Sequence, residues 1–291
     1  MHWQTENKKD FFPRSESYKV DSLPPGVYKI SRTDMGDMIF SQVEDETELV
    51  RFEDTVVDEI VGEIRRFWGK QELFARHNFP FRRGILFYGP QGSGKSCAVK
   101  LILKDVTARG GIGIICSNYN VFNMGMTMLR DIQPDTPVVV VMEDLDHILE
   151  YYDESEILNM LDGIGGYNKV VFIATTNYLE NLAGRVKDRP SRFDRCIKID
   201  YPQEPVRIAF LKHLIGKSEE FKHLPIKEWS KDSEGLSMAH LKELFISVAF
   251  FDADYKEVIT RLQNMGDDEE DDSEEEECNK NGNKCTPETP E

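Results

Sequence analysis

The sequence predicts an α/β protein: a parallel sheet with helices on both faces, followed by a small all-helical domain. Three observations predict it. Short apolar runs at Ile85–Tyr88, Ile112–Cys116, Val138–Met142, Val170–Ala174 and Cys196–Ile199 alternate with helix-like or loop segments. Runs of that kind mark strands covered on both faces, joined by crossovers. Between the first run and an amphipathic stretch from Cys97 to Val106 lies a glycine-rich turn, Gly89-Pro-Gln-Gly-Ser-Gly-Lys-Ser96, so that strand, loop and helix follow one another. Beyond Tyr201-Pro202 the strand-like runs stop, and Pro205–Gly216, Ser237–Phe251 and Asp254–Met265 carry apolar residues at helical spacing.

Taken in order, residues 1–49 hold a turn signal, Ser22-Leu-Pro-Pro-Gly26, and two short strands, Val27–Ser31 and Met38–Val43, around Asp34-Met-Gly-Asp37. They read either as a small β-hairpin appendage or as a disordered leader. From Asp54 the period becomes helical, with Val57, Ile60, Val61, Ile64 and Trp68 on one face and Asp58, Glu59, Glu63 and Arg65 mostly on the other. That helix is expected to lean on the α/β domain that follows it. In the last domain Leu241, Leu244, Phe245 and Val248 share a helix face. From Gly266 an acidic run has too few apolar residues to order itself. The expected divisions are an extension (1–49), an α/β domain (50–202), a helical domain (203–265) and a disordered acidic tail (266–291).

Composition narrows the function classes. The chain of 291 residues has a net charge of −17. From Asp267 onward twelve acidic side chains face two lysines, so ten of those charges sit in the tail. Such a balance disfavours non-specific nucleic-acid binding by counterion release, and simple solvation is the expected role of the tail. No apolar run approaches eighteen residues and Met1–Asp10 is polar, so neither a membrane span nor a signal peptide is expected. Five cysteines without metal spacing fit reduced thiols in a cytoplasmic setting.

The glycine turn is a phosphate cradle. It meets the pattern G-x-x-x-x-G-K-[ST] through Gly89, Gly94, Lys95 and Ser96, with Gly92 as a further glycine. Glycines permit positive φ and close approach of backbone N–H groups to a polyphosphate. Lys95 would place a cation at the β/γ-phosphates, and the Ser96 hydroxyl would take one position on Mg²⁺. Gly89, Pro90, Gln91, Gly92, Ser93, Gly94, Lys95, Ser96 and Cys97 are therefore the expected ATP-binding positions. The apolar run Val138–Met142 delivers Glu143 and Asp144 to its carboxyl end, the edge where open α/β sheets bind ligands. One carboxylate would hold Mg²⁺ and its neighbour would orient or deprotonate water. Phe172-Ile-Ala-Thr-Thr-Asn177 ends a further strand in a side chain able to hydrogen-bond a γ-phosphate or the attacking water. Arg189, Arg192 and Arg195 fall within seven residues, either as solvated loop arginines or as cations supplied in trans to a transferring phosphoryl group.

Together, Phe81-Arg-Arg-Gly-Ile-Leu-Phe-Tyr-Gly-Pro-Gln-Gly-Ser-Gly-Lys-Ser96, Val-Val-Met-Glu-Asp-Leu-Asp146, Thr175-Thr-Asn177, Arg189-Pro-Ser-Arg-Phe-Asp-Arg195 and Gly235-Leu-Ser-Met-Ala-His-Leu241 resemble the AAA+ ATPases, and within them the AAA clade. They resemble that family's Walker A, Walker B, sensor 1, second region of homology and start of the lid helix, in family order over about residues 50–265. The resemblance implies a P-loop sheet domain with a helical lid and ATP hydrolysis with Mg²⁺ at the subunit interfaces of a ring, usually a hexamer, that remodels or threads a protein substrate. It implies Asn177 as sensor 1, Arg189 and Arg192 as arginine fingers, and a pore loop after the second strand, where Phe122, with Met124 adjacent, would grip substrate. Tyr151-Tyr152 would form a second such loop. A nucleic-acid loader and a non-hydrolysing nucleotide-dependent scaffold are the alternatives.

Two departures accompany the likeness. The carboxylates come as Glu143 then Asp144, the reverse of the usual family order; the branch resembling the mitochondrial translocase of the Rieske iron-sulfur protein shares that order and the Arg82-Arg83-Gly84 lead-in. If positions keep their roles, Glu143 is on the metal side and Asp144 is the shorter base. No arginine stands at the sensor 2 position, so Ala239 receives no catalytic role.

Overall fold

A computed structural model of the chain describes residues 2–5, 8–14, 20–44, 56–152, 154–162, 167–182, 192–216 and 218–265. The described residues divide into two compact units, residues 1–90 with 94–199, and residues 91–93 with 200 onward. The acidic tail lies outside the described residues.

The first unit contains strands β1 (His2–Thr5), β2 (Asp10–Arg14), β3 (Gly26–Arg32), β4 (Met38–Gln42), β5 (Arg82–Tyr88), β6 (Ile112–Ile115), β7 (Val138–Met142), β8 (Val170–Thr176) and β9 (Arg195–Lys198). Its helices are α1 (Val56–Trp68), α2 (Gln71–Arg76), α3 (Lys95–Ala108), α4 (Tyr119–Ile132), α5 (Leu145–Tyr151), α6 (Glu154–Asp162) and α7 (Leu179–Leu182). The strands form one sheet in the order β1-β2-β4-β3-β6-β7-β8-β5-β9. From β3 to β9 every pairing is parallel, and from β3 through β4 and β2 to β1 every pairing is antiparallel.

Period-two alternation explains how such apolar strands fit. Val138, Val140 and Met142 face one side with Phe172 and Leu86, under Phe122, Met126 and Leu129 of α4 and Ile157, Leu158 and Leu161 of α6. Val139 and Val141 face the other side with Ile173 and Phe87, under Ile60, Ile64 and Phe67 of α1 and Val99, Ile102 and Val106 of α3. Both faces are dry, so β7 and β8 read as uninterrupted apolar runs.

The strands anticipated near residues 27–43 are part of this same sheet. β3 lies parallel to β6, pairing Gly26 with Ile112 and Tyr28 with Ile114. Tyr28, Met38 and Phe40 are fully buried against the core beneath α4. The preceding turn is anchored as well, since the Leu23 N–H donates to Gln133 Oε1 at 2.7 Å.

The Arg82-Arg83-Gly84 lead-in to β5 has a structural explanation. Arg82 donates to the carbonyls of Met160 and Leu161 at the end of α6. Arg83 donates to Glu63 Oε1 of α1 at 2.8 Å and pairs with Asp194 at 3.2 Å. Gly84 admits the neighbouring chain: a Cβ there would stand 2.1 Å from the Arg192 carbonyl oxygen.

The second unit holds α8 (Glu204–Ile215), a 3-10 turn (Glu219–Phe221), α9 (Ile226–Asp232), α10 (Met238–Phe251) and a last helix over residues 255–265. Leu211, Ile215, Trp229, Leu244, Phe245 and Ile259 form its core, and Trp229 stacks on Tyr255 at 5.3 Å between ring centroids. Ser237 caps α10: its Oγ accepts from the His240 N–H, and its own N–H donates to His240 Nδ1. Among the described residues no helix is long and apolar enough to cross a membrane.

Candidate functional site

The site is assembled at the carboxyl ends of β5, β7 and β8. β5 runs into the glycine turn, where Gly89, Gly92 and Gly94 all adopt positive φ, at 142°, 67° and 109°. α3 starts at Lys95 with Gly94 as its left-handed cap. Ala98 is the first residue of α3 whose N–H reaches back, to the Gly94 carbonyl at 2.9 Å. The amides of Lys95, Ser96 and Cys97 therefore have no acceptor within the helix and mark its positive end.

Lys95 is buried, and its Nζ donates to the carbonyls of Gly89 at 2.7 Å and Pro90 at 2.8 Å. The turn thus curls around the ammonium. Burial pushes Lys95 below the ordinary lysine value, against the opposing charges of Asp144 and Asp146. Ser93 is buried too, and its Oγ has no hydrogen-bond partner among the described residues. Buried hydroxyls are seldom left so; with the free amides of α3 and the Lys95 cation, the donor set fits a polyphosphate. Gln91, Gly92 and Ser96 are exposed on the same turn, Pro90 and Cys97 are half-buried, and burial pushes the Cys97 thiol up.

β7 ends in the acidic turn. Glu143 and Asp144 are exposed there. Asp144 has φ 50° and ψ 60°, a left-handed conformation uncommon outside glycine that aspartate tolerates better than most residues. Its N–H donates to Thr175 Oγ1 of β8 at 3.1 Å. Thr176 Oγ1 donates to Asp146 Oδ1 at 2.9 Å and accepts from the Tyr178 N–H at 3.1 Å. Half-buried Asn177 lies between these last two residues. Asp146 and Thr176 are the members of the site that sequence reasoning passed over. The repeated acid in Glu-Asp-Leu-Asp146 and the paired threonines were the available signals.

Among the described residues no three His, Cys, Asp or Glu side chains cluster to hold a metal. The exposed Ser96 hydroxyl and Glu143 carboxylate still fit Mg²⁺, a hard cation that takes one or two protein oxygens and completes its shell with phosphate and water.

One expectation is corrected, and two of the expected cations are found already paired. Phe122, expected to grip substrate, is 1% exposed in the core, edge-on to Tyr167 at 6.3 Å. Tyr119, Phe122, Met126 and Leu129 share the inward face of α4, so the segment is a packed helix rather than a loop; Met124 points outward, 43% exposed. Arg192, which the resemblance makes an arginine finger, is 7% exposed within the single chain and donates from Nε to Asp162 Oδ2 at 3.2 Å. Arg195 is likewise engaged, donating to Glu63 Oε2 at 2.8 Å and Glu59 Oε1 at 3.2 Å. Arg189 lies outside the described residues. Of the Tyr151-Tyr152 pair, Tyr151 is exposed at the end of α5 and Tyr152 packs against the core.

Comparison with known proteins agrees with this geometry. Residues 85–201 match the ATPase family associated with various cellular activities (AAA). The chain is 28% identical over 173 residues to Protein CdcH of Halobacterium salinarum, covering 52% of this chain and 23% of that one. It is 25% identical over 220 residues to the proteasome-activating nucleotidase of Methanococcus maripaludis, covering 66% and 53%. With the probable 26S proteasome regulatory subunit 10B of Caenorhabditis elegans it shares 28% over 250 residues, covering 79% and 59%. The chain thus spans a little over half the length of the latter two relatives and under a quarter of the first. The glycine turn, the acidic turn and Thr175–Asn177 all fall inside the matched stretch, so the part of the chain that resembles the AAA ATPases is the part that builds the site.

Proposed function

We propose that this chain hydrolyses ATP, as a subunit of a ring that remodels or threads a protein substrate. The observation that carries the reading is the meeting of Lys95 with the Glu143–Asp146 turn and Thr175–Asn177 at one sheet edge, beside helix amides free to receive phosphate. Kinship with a proteasome-activating nucleotidase and a proteasome regulatory subunit supports a protein rather than a nucleic acid as substrate. A hexamer in a cytoplasmic setting is the form this reading favours. The Glu143–Asp144 order and the Arg82-Arg83-Gly84 lead-in support a finer kinship with the Rieske-protein translocase branch, without carrying over its substrate.

In mechanism, the glycine turn and the first turn of α3 bind the phosphates, and Lys95 offsets charge at the β/γ end. Ser96 and Glu143 would hold Mg²⁺, which when bound neutralises charge on the phosphate oxygens. Asp144 accepts the proton of a water that attacks the γ-phosphorus, while the bond to the bridging oxygen of ADP breaks. Asn177 orients that water or the γ-phosphate. Arg189 and Arg192 act from a neighbouring subunit, which for Arg192 requires release from Asp162.

The test is steady-state ATP hydrolysis against protein concentration, with particle mass read in the same buffers and Lys95→Ala and Arg192→Ala alongside. Turnover per subunit that rises as rings form, and is lost in both variants, is expected. Tight ATP binding without turnover at any concentration would overturn the hydrolytic reading.

A further inference from the structure

We propose that Thr176 is a positioning residue that ties the backbone around Asn177 to the Asp146 carboxylate, so that the end of β8 and the acidic turn after β7 respond as one unit. The proposal rests on the reading of the site as a nucleotide site and goes one step further into it.

β7 and β8 are in parallel register up to Met142 opposite Ala174. One residue later β7 leaves the sheet, because Asp144 turns into the left-handed region. The ladder bonds that would have continued are replaced by side chains: Thr175 takes the Asp144 amide, and Thr176 takes the Asp146 carboxylate. Thr176 is fully buried, and its hydroxyl is used in both directions. Its proton goes to Asp146 Oδ1, and its lone pair receives the Tyr178 N–H. The second bond closes a local turn whose middle residue is Asn177. The first bond fixes a carboxylate of the acidic turn, two residues beyond Asp144, whose own N–H is held by Thr175. One hydroxyl therefore stands between the residue placed to sense a γ-phosphate and the turn that carries Glu143 and Asp144.

A buried hydroxyl with both roles taken cannot give up one partner at no cost. A shift of Asn177 toward a γ-phosphate pulls on Asp146 and through it on the turn that begins at Glu143. Valine at this position keeps the shape of threonine and deletes both bonds; serine keeps both.

The experiment measures ATP and ADP affinities and turnover at saturating ATP for the native chain, Thr176→Val, Thr176→Ser, Asp146→Ala and the Thr176→Val/Asp146→Ala double variant. Thr176→Val is expected to lower turnover about 10- to 100-fold and to erase most of any preference for ATP over ADP, with ADP affinity held within about threefold. Thr176→Ser should restore both properties to within about threefold, and the double variant should be no worse than the worse single one. Equal loss of ATP and ADP affinity together with a lowered melting temperature would reduce Thr176 to a structural role and overturn the proposal. So would strictly additive effects in the double variant. A native chain that binds both nucleotides without turnover overturns the hydrolytic function alone, and the link is then judged on the ATP-to-ADP preference. One that binds neither overturns both.

Discussion

Asp162 of α6 holds the guanidinium of Arg192, with Nε 3.2 Å from Oδ2 and both side chains largely buried. The pair sits against the Arg82-Arg83-Gly84 lead-in, in a cavity of about 360 Å³ that Phe74, Asp194 and Phe172 also line. Removing one partner of such a pair leaves a charge that neither water nor protein fully satisfies. Asp162→Ala should therefore lower the unfolding free energy by about 2–4 kcal/mol, below the full buried-pair loss because Asp162 keeps some access to water. Arg192→Met with Asp162→Leu should recover most of that stability, and should leave hydrolysis impaired if Arg192 serves a neighbouring subunit as proposed. Urea unfolding and turnover on the same preparations separate the two roles. An Asp162→Ala protein within about 0.5 kcal/mol of native would show that the pair holds nothing.

Gly84→Ala tests the same region from the backbone. The added methyl would meet the Arg192 carbonyl oxygen at 2.1 Å and the Phe193 Cα at 3.0 Å, and backbone yields less readily than a side-chain tip. A loss of about 1–3 kcal/mol or more is expected, with reduced turnover as the Arg192 segment is displaced. Gly110→Ala is the control for backbone strain alone, since its φ is 86° but its Cβ would enter open space; about 1 kcal/mol is expected there.

Glu63 of α1 joins β5 and β9 by accepting from Arg83 at 2.8 Å and from Arg195 at 2.8 Å. Burial pushes its carboxyl up, but the hydrogen bonds from Arg83 and Arg195 outweigh burial and hold it below the usual value of 4.5. A carboxylate depressed on folding stabilises the fold above its unfolded value, and that contribution disappears as pH falls through the lower folded value. Native protein should therefore lose denaturant stability below about pH 4.5 more steeply than Glu63→Gln, which should start less stable at neutral pH. Parallel slopes for the two proteins would refute the assignment.

Phe122→Ala should act on stability rather than on substrate. Its ring is fully covered by the sheet and Tyr167, so truncation is expected to cost about 3–5 kcal/mol. Met124→Ala, on the outward side of α4, should leave the melting temperature nearly unchanged. If this segment contacts substrate, Met124→Ala is the variant whose substrate processing falls. Thermal melts of both, set beside ATP turnover with and without an unfolded protein, check the assignment.

What was legible in the sequence follows from range. β7 and β8 announce themselves because a strand covered on both faces must be apolar throughout, and Val138–Met142 and Val170–Thr176 are buried at every position. The glycine turn was readable because its chemistry is contiguous in the chain. Contacts between distant residues were not. Nothing local tells that Tyr28 will pair with Ile114, that Thr176 will meet Asp146, or that an arginine in a charged loop will be buried on Asp162. Phe122 is a different case. The spacing of Tyr119, Phe122, Met126 and Leu129 is helical and favours a packed ring, whereas the resemblance to a family with a pore loop favours an exposed one; α4 buries the ring.

The amino-terminal strands offer the broadest test. β3 covers the edge of β6, whose Ile112 and Ile114 are fully buried, and with β4 it contributes Tyr28, Ile30, Met38 and Phe40 to the core beneath α4. Burying each such side chain stabilises by about 1.5–3 kcal/mol, so the four together rival the roughly 5–15 kcal/mol by which a typical domain is folded at all. Deleting residues 1–44 would also leave a row of unpaired backbone groups along β6, a template for association between chains. The truncated protein should be recovered mainly as aggregate, or should unfold at a markedly lower denaturant midpoint where it stays soluble. A fragment starting at residue 45 with native stability and native turnover would instead make the hairpin an accessory, and would require α4 to close over the sheet without Phe40 and Ile30.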